Sequence, residues 1–230
     1  MDKFIEELLE ELECKAVFEI PLGNGSSIPI YESVVVTWII MAVLIILSKV
    51  LVRNLEVDNV SKTQLALETA VGFLRDFFYG NLGEHGKRYI PYMMTVILYI
   101  GVSNVIGLFG MKPPTKDINV TIALALMSII LIEYAGIHKK GVKGWVQSFA
   151  EPVAMVAPIN VLEIFIRPLS LCMRLFGNVL GAFVVMELIK LVVPVFVPVV
   201  FSCYFDIFDG LIQAYVFVFL TSLFIKEAIE

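Results

Sequence analysis

The sequence predicts an all-α polytopic membrane protein, with five transmembrane helical segments plus interfacial amphipathic helices, the last two spans forming a long tilted hairpin. Three observations carry this. Of 230 residues, 59% are hydrophobic and 17% charged, with a mean hydropathy of +0.88; a soluble domain lies nearer half apolar and a quarter charged. Apolar runs near 33–52, 89–110, 118–137, 153–189 and 192–225 each reach the roughly 20 residues that a membrane helix needs. Lysine and arginine gather in two of the connections between those runs, as the positive-inside bias requires.

Residues 1–30 hold seven acids against Lys3 and Lys15 and are assigned to an extracytoplasmic acidic segment, with 31–230 as a single membrane domain. Acids follow Met1-Asp2-Lys3 where a secretory leader would have an apolar core, so no cleaved signal peptide is expected. Phe4, Ile5, Leu8, Leu9 and Leu12 with Glu between them predict a short amphipathic helix over 4–18. The first span follows at 33–52. The stretch 63–79 carries Leu65, Leu67, Ala70, Val71, Leu74, Phe77 and Phe78, broken by Glu68, Arg75 and Asp76, which predicts a helix lying along the membrane interface.

Lys49, Arg53, Lys62, Arg75, Lys87 and Arg88 precede the second span, and Lys139, Lys140 and Lys143 follow the third. Both groups are assigned to the cytoplasm, which places the N-terminus outside and the C-terminus inside. Lys112 and Lys116, in the short outer turn beside Asp117, run against that bias. The fourth and fifth runs exceed one membrane thickness, so they tilt or bend, with Pro158, Pro168, Pro194 and Pro198 as the candidate bends. The stretch 191–201 is expected to be the hairpin joining them.

Cys14, Cys172 and Cys203 have no CxxC spacing and read as buried small hydrophobes, with no disulfide framework or metal site. His85 and His138 read as solvated residues of polar loops. There is no phosphate-cradling glycine loop, so nucleotide chemistry belongs on another chain. No cofactor and no nucleic-acid partner are expected.

Arg174 carries the functional expectation. A guanidinium at mid-membrane costs about 2.5–3.5 kcal/mol on insertion scales, and it cannot escape by losing its proton. On an ideal helix Glu163, Arg167, Ser170, Asn178 and Gly181 all fall within about 40° of Arg174. A polar seam of that length needs a protein or water partner. Two readings stay open for its members: Glu163 and Arg167 either snorkel to the headgroups or belong to a path, and Ser170 and Asn178 either join helices or line one. A structural salt bridge remains the plainer reading of Arg174. In the fifth span Asp206, Asp209 and Gln213 stand three and four apart, on one face within about 60°. Glu187, near the outer end of the fourth span, can join these acids. A basic centre with an acidic outer vestibule and an acid at the inner end would pass protons without a direct leak.

The runs Arg174-Leu-Phe-Gly-Asn178, Asp117-Ile-Asn119-Val-Thr121 and Gln213-Ala-Tyr-Val-Phe217, with Pro158-Ile-Asn160, Glu163 and Arg167-Pro168, resemble subunit a of the F-type ATP synthase membrane sector. The resemblance covers roughly 33–230. It implies a non-catalytic stator subunit in a bacterial-type cell membrane, working with a ring of c subunits, the b-subunit peripheral stalk, the catalytic head and the lipid bilayer. Arg174 would face the ring, Gln213 would sit beside it on the neighbouring helix, Asn178 would line the path, and Glu163 would belong to the inner aqueous route. Relatives often carry Glu or His at the position of Phe183, and His or Glu at that of Asp206. The outer route would then rest on Glu187, Asp206 and Asp209. The alternative is a stand-alone secondary transporter or ion channel with a buried Arg–Asp pair; a purely structural scaffold is a third reading.

Overall fold

The computed structural model describes residues 16–21, 27–53, 55–56, 60–148, 157–192 and 197–229. Strands β1 (Ala16–Pro21) and β2 (Ser27–Tyr31) pair antiparallel, Phe18 opposite Ile30. This corrects the amphipathic helix expected over 4–18 at its C-terminal end; its remainder lies outside the described residues. The reason is local: Val17, Phe18 and Ile20 are β-branched or aromatic, with Pro21 closing the strand.

Helices α1 (Glu32–Val52), α2 (Lys62–Leu82) and α3 (Ile90–Val105) follow, then α4 (Ile118–Ser148), α5 (Ala157–Val192), the short α6 (Val197–Ser202) and α7 (Gly210–Ile229). The protein is thus almost entirely helical, with five helical stretches long and apolar enough to cross a membrane. Ser61 caps α2 by accepting from the Gln64 backbone N–H (3.2 Å). Pro158 stands at the second position of α5, where a missing N–H is harmless, and Pro168 is accommodated inside that helix without ending it.

Three elements differ from expectation. The third span does not end near residue 137: α4 continues to Ser148, with a break only at Gly141 (φ 73°, ψ 162°), a conformation that favours glycine. Hydropathy marks where apolar residues stop, not where helical hydrogen bonding stops. His138, placed in a loop by the sequence, is therefore helical. Of the hairpin expected over 191–201, residues 191–192 belong to α5 and 197–201 to α6, while 193–196 lie outside the described residues. Finally, Cys203–Asp209 winds as a π-helix, which invalidates the α-helical arithmetic that put Asp206, Asp209 and Gln213 on one face.

The core lies between α3, α4, α5 and α7, around Met93, Ile100, Ile132, Leu171, Leu175, Val218 and Ile225, all 2% exposed or less. Helix α1 touches the rest through Val36 and Ile40, which pack on Ile106. A buried turn, Pro114–Lys116, plugs one end of the bundle. Thr115 Oγ1 donates to Asn104 Oδ1 (2.7 Å), and Ser33 Oγ donates to Asp117 Oδ2 (2.5 Å). Asp117 Oδ1 accepts from the Asn119 backbone N–H (2.9 Å), capping α4. These bonds satisfy polar groups that would otherwise cost about 1–3 kcal/mol each when buried.

Candidate functional site

Helix α5 separates two cavities. The larger, about 710 Å³, lies beside its C-terminal half and is lined by Asn104, Phe183, Glu187, Lys190, Asp206 and Asp209, among others. The three acids singled out from sequence, Glu187, Asp206 and Asp209, therefore share one cavity. Glu187 Oε1 accepts from Lys190 Nζ (2.7 Å), and Asp206 Oδ2 accepts from Ser202 Oγ (2.5 Å). The π winding carries both Asp206 and Asp209 to the cavity, whereas Gln213, one turn into α7, is buried at 8% exposure and does not line it.

The wall of this cavity is set by a close approach. Asn104 Nδ2 donates to the carbonyl of Gly210 (2.9 Å), just where the π turn passes into α7. A Cβ on Gly210 would stand 2.8 Å from Asn104 Cβ, so only glycine lets the two backbones meet.

Phe183 occupies the place where an acid was sought. The Lys116 ammonium sits 3.6 Å from its ring centroid, and Lys116 is only 6% exposed. An aromatic face offers a desolvated cation partial compensation.

The smaller cavity, about 290 Å³, lies at the other end of α5 and is lined by Glu133, Trp145, Asn160, Glu163, Arg167 and Glu227, among others. Arg167 is engaged by two carboxylates. Its Nη2 donates to Glu163 Oε2 (2.6 Å) and to Glu227 Oε1 (2.8 Å), and its guanidinium lies 4.9 Å from the Phe224 ring centroid. Arg167 thus ties α5 to α7. Trp145 Nε1 donates to Glu133 Oε2 (2.8 Å), with its ring against Gly136.

Arg174 stands between the cavities, about 16 Å of helix rise from Glu163 and about 20 Å from Glu187. It is exposed, as are Ser170, Gly177, Asn178 and Gly181. Among the described residues it has no hydrogen-bond or ion-pair partner, and no hydrogen bond joins it to Gln213. The α5 residues lining the larger cavity lie about 80–220° around the helix from Arg174, while those lining the smaller one lie within about 80° of it. The two cavities therefore open to different faces of one helix.

Sequence reasoning passed over Asn104 and Lys190 at the larger cavity and Glu133, Trp145 and Glu227 at the smaller. Lys112 and Lys116 were legible as cations against the charge bias. The others are ordinary until the fold brings them together. Cys172 is buried, 3.4 Å from Thr121 Oγ1, but Cys203 is exposed, correcting its reading as a buried hydrophobe. His85 and His138 also have partners: Lys139 Nζ lies 3.3 Å from His85 Nδ1 and Arg88 Nη1 lies 3.5 Å from His138 Nε2.

Five helices able to span a membrane, two cavities that each hold charged side chains, and an arginine between them with no partner among the described residues are consistent with ion translocation. Comparison narrows the reading. The family model described as ATP synthase A chain matches residues 34–226. Subunit a of the ATP synthase of Moorella thermoacetica is 37% identical over 209 residues, covering 88% of this chain and 93% of that one. The sodium ion specific subunit a of Propionigenium modestum is 33% identical over 229 residues, covering 92% and 79%. Subunit a 2 of Acaryochloris marina is 32% identical over 198 residues, covering 85% and 84%. The chain belongs to the ATP synthase subunit a family, and as a member it associates with other ATP synthase subunits.

Proposed function

We propose that this chain is the proton-translocating stator subunit of an F-type ATP synthase, non-catalytic itself, with two half-channels separated by Arg174. The observation that supports this reading is the segregation of two cavities, each holding charged side chains, to opposite ends and different faces of α5, with an exposed arginine between them that has no partner among the described residues.

A cation exposed at mid-length on a membrane-spanning helix is best met by something negative. A c-ring carboxylate meets that need. Beside a guanidinium in low dielectric the carboxylate is driven to its ionised form, whereas facing lipid it must be neutral to be tolerated. Each carboxylate passing Arg174 therefore gives up its proton on one side and regains one on the other. During synthesis the outer route, built on Glu187, Asp206 and Asp209, loads the ring. Protons reach the ring-facing side of α5 past Asn178 and the small residues Gly181 and Ala182, where bulk is least. The inner route passes Glu163 and Arg167 near Ser170. Gln213 supports the Arg174 region from α7. In this arrangement the N-terminus and residues 1–30 lie outside a bacterial-type cell membrane and the C-terminus lies in the cytoplasm. The c ring, the b-subunit stalk and the catalytic head are the partners, and the last two spans tilt along the ring.

The test is ATP-driven acidification of inverted membrane vesicles, comparing wild type with Arg174→Ala at equal complex abundance. Loss of pumping with the complex assembled is expected. Pumping at the wild-type rate would reduce Arg174 to a structural charge.

A further inference from the structure

A second cationic group stands apart from both half-channels. His85 and Arg88 lie in the turn Glu84–Tyr89 that leads into α3, and His138 and Lys139 lie at the end of the long straight part of α4. They interlock in two pairs, Lys139 Nζ to His85 Nδ1 (3.3 Å) and Arg88 Nη1 to His138 Nε2 (3.5 Å). All four are exposed. The neighbouring carboxylates are engaged elsewhere: Glu84 with Lys87 and Tyr79, and Glu133 with Trp145. Among the described residues no carboxylate meets Arg88 or Lys139. Lysine and arginine are donors only, so a cluster of them held side by side is best satisfied by a shared anion with several acceptor oxygens.

The surface beside the cluster indicates which anion. Met127, Ile130 and Tyr134 are 50%, 66% and 46% exposed. With His138 they recur at spacings of three and four, forming one stripe along α4. Tyr134 stacks on His138 with ring centroids 5.8 Å apart. From Met127 to His138 the helix rises about 16 Å, close to the roughly 15 Å of one hydrocarbon leaflet. An apolar stripe one leaflet long, ending in a tyrosine and then in cations, has the profile of a single phospholipid.

We propose that this stripe binds an anionic diacyl phospholipid, its phosphate among Arg88, His138, Lys139 and His85, and an acyl chain along Tyr134, Ile130 and Met127. The site does not depend on the proton path and requires only that this end of α4 reaches a membrane surface.

The purified complete complex, delipidated in neutral detergent, is titrated with phosphatidylglycerol or with phosphatidylcholine of the same acyl chains. Lipid retained on the released subunit is counted by native mass spectrometry. Wild type is expected to retain the anionic lipid preferentially. At about 1 kcal/mol for each basic residue at a membrane surface, the double substitution Arg88→Gln, Lys139→Gln weakens that retention roughly 30-fold and leaves phosphatidylcholine unchanged. Should the double variant not assemble, Lys139→Gln alone is expected to lose about 5-fold. Equal retention of both lipids by wild type, or an unchanged preference in the variant, overturns the proposal. So does displacement of the lipid by millimolar inorganic phosphate, which assigns the cluster to a free anion, and so does loss of another subunit from the variant complex, which assigns it to an acidic protein surface.

Discussion

Gly210→Ala is expected to destabilise the protein while adding only a methyl group. The added Cβ would lie 2.8 Å from Asn104 Cβ, so the two helices must part by at least about 0.6 Å to restore ordinary contact. Asn104 cannot rotate away, because the clash is with its own Cβ. Its amide is also held at both ends, by Thr115 (2.7 Å) and by the Gly210 carbonyl (2.9 Å). Overpacking of this kind costs about 1–3 kcal/mol, and weakening the buried amide bond adds about 1 kcal/mol. The total of roughly 2–4 kcal/mol corresponds to a fall in apparent melting temperature of roughly 4–16 °C on the scale of domains this size. The assay is heat-induced loss of the subunit from the purified complex. Gly107→Ala is the control: its Cβ would meet Asp206 Oδ1 at 3.0 Å, the movable tip of a side chain, and should cost under about 1 kcal/mol. A Gly210→Ala protein melting with wild type would refute the claim that this contact sets the cavity wall.

Asp206→Asn, Asp209→Asn and Glu187→Gln are each expected to slow ATP-driven acidification of inverted vesicles at equal complex abundance, and the triple variant more than any single one; a substitution that leaves the rate unchanged removes that residue from the outer route. Arg167→Ala is expected to cost about 1–2 kcal/mol, since Glu163 and Glu227 are 44% and 60% exposed and water screens much of the pairing. Arg167→Lys should recover part of that loss in the same melting assay, because lysine keeps the charge but not the forked geometry; full recovery would show that charge alone holds α5 to α7.

Much of this protein was legible before any fold was known. Five apolar stretches of about 20 residues or more read as spanning helices, since backbone groups in hydrocarbon must be satisfied within the segment. Arg174, deep within the fourth stretch, is conspicuous because its cost is large and its proton cannot leave. Periodicity also placed Ser170, Asn178 and Gly181 on the face of Arg174, and the structure exposes all four together. These are one-dimensional properties: hydropathy, charge and a fixed turn per residue.

Tertiary structure decided what one dimension does not contain. The π winding of Cys203–Asp209 cannot be read from its residues, yet it carries Asp206 and Asp209 to one cavity while Gln213 turns into the core. Glu227, 60 residues from Arg167, becomes its partner only when α7 packs beside α5. Lys116 looks like a misplaced charge until its turn folds under the bundle and sets it on Phe183. Asn104 is an unremarkable polar residue until Gly210 comes within reach of its amide. Local composition specifies where helices form and which residues are costly in lipid; which costly groups meet depends on contacts between segments far apart in the chain, and those are set only by how the helices pack.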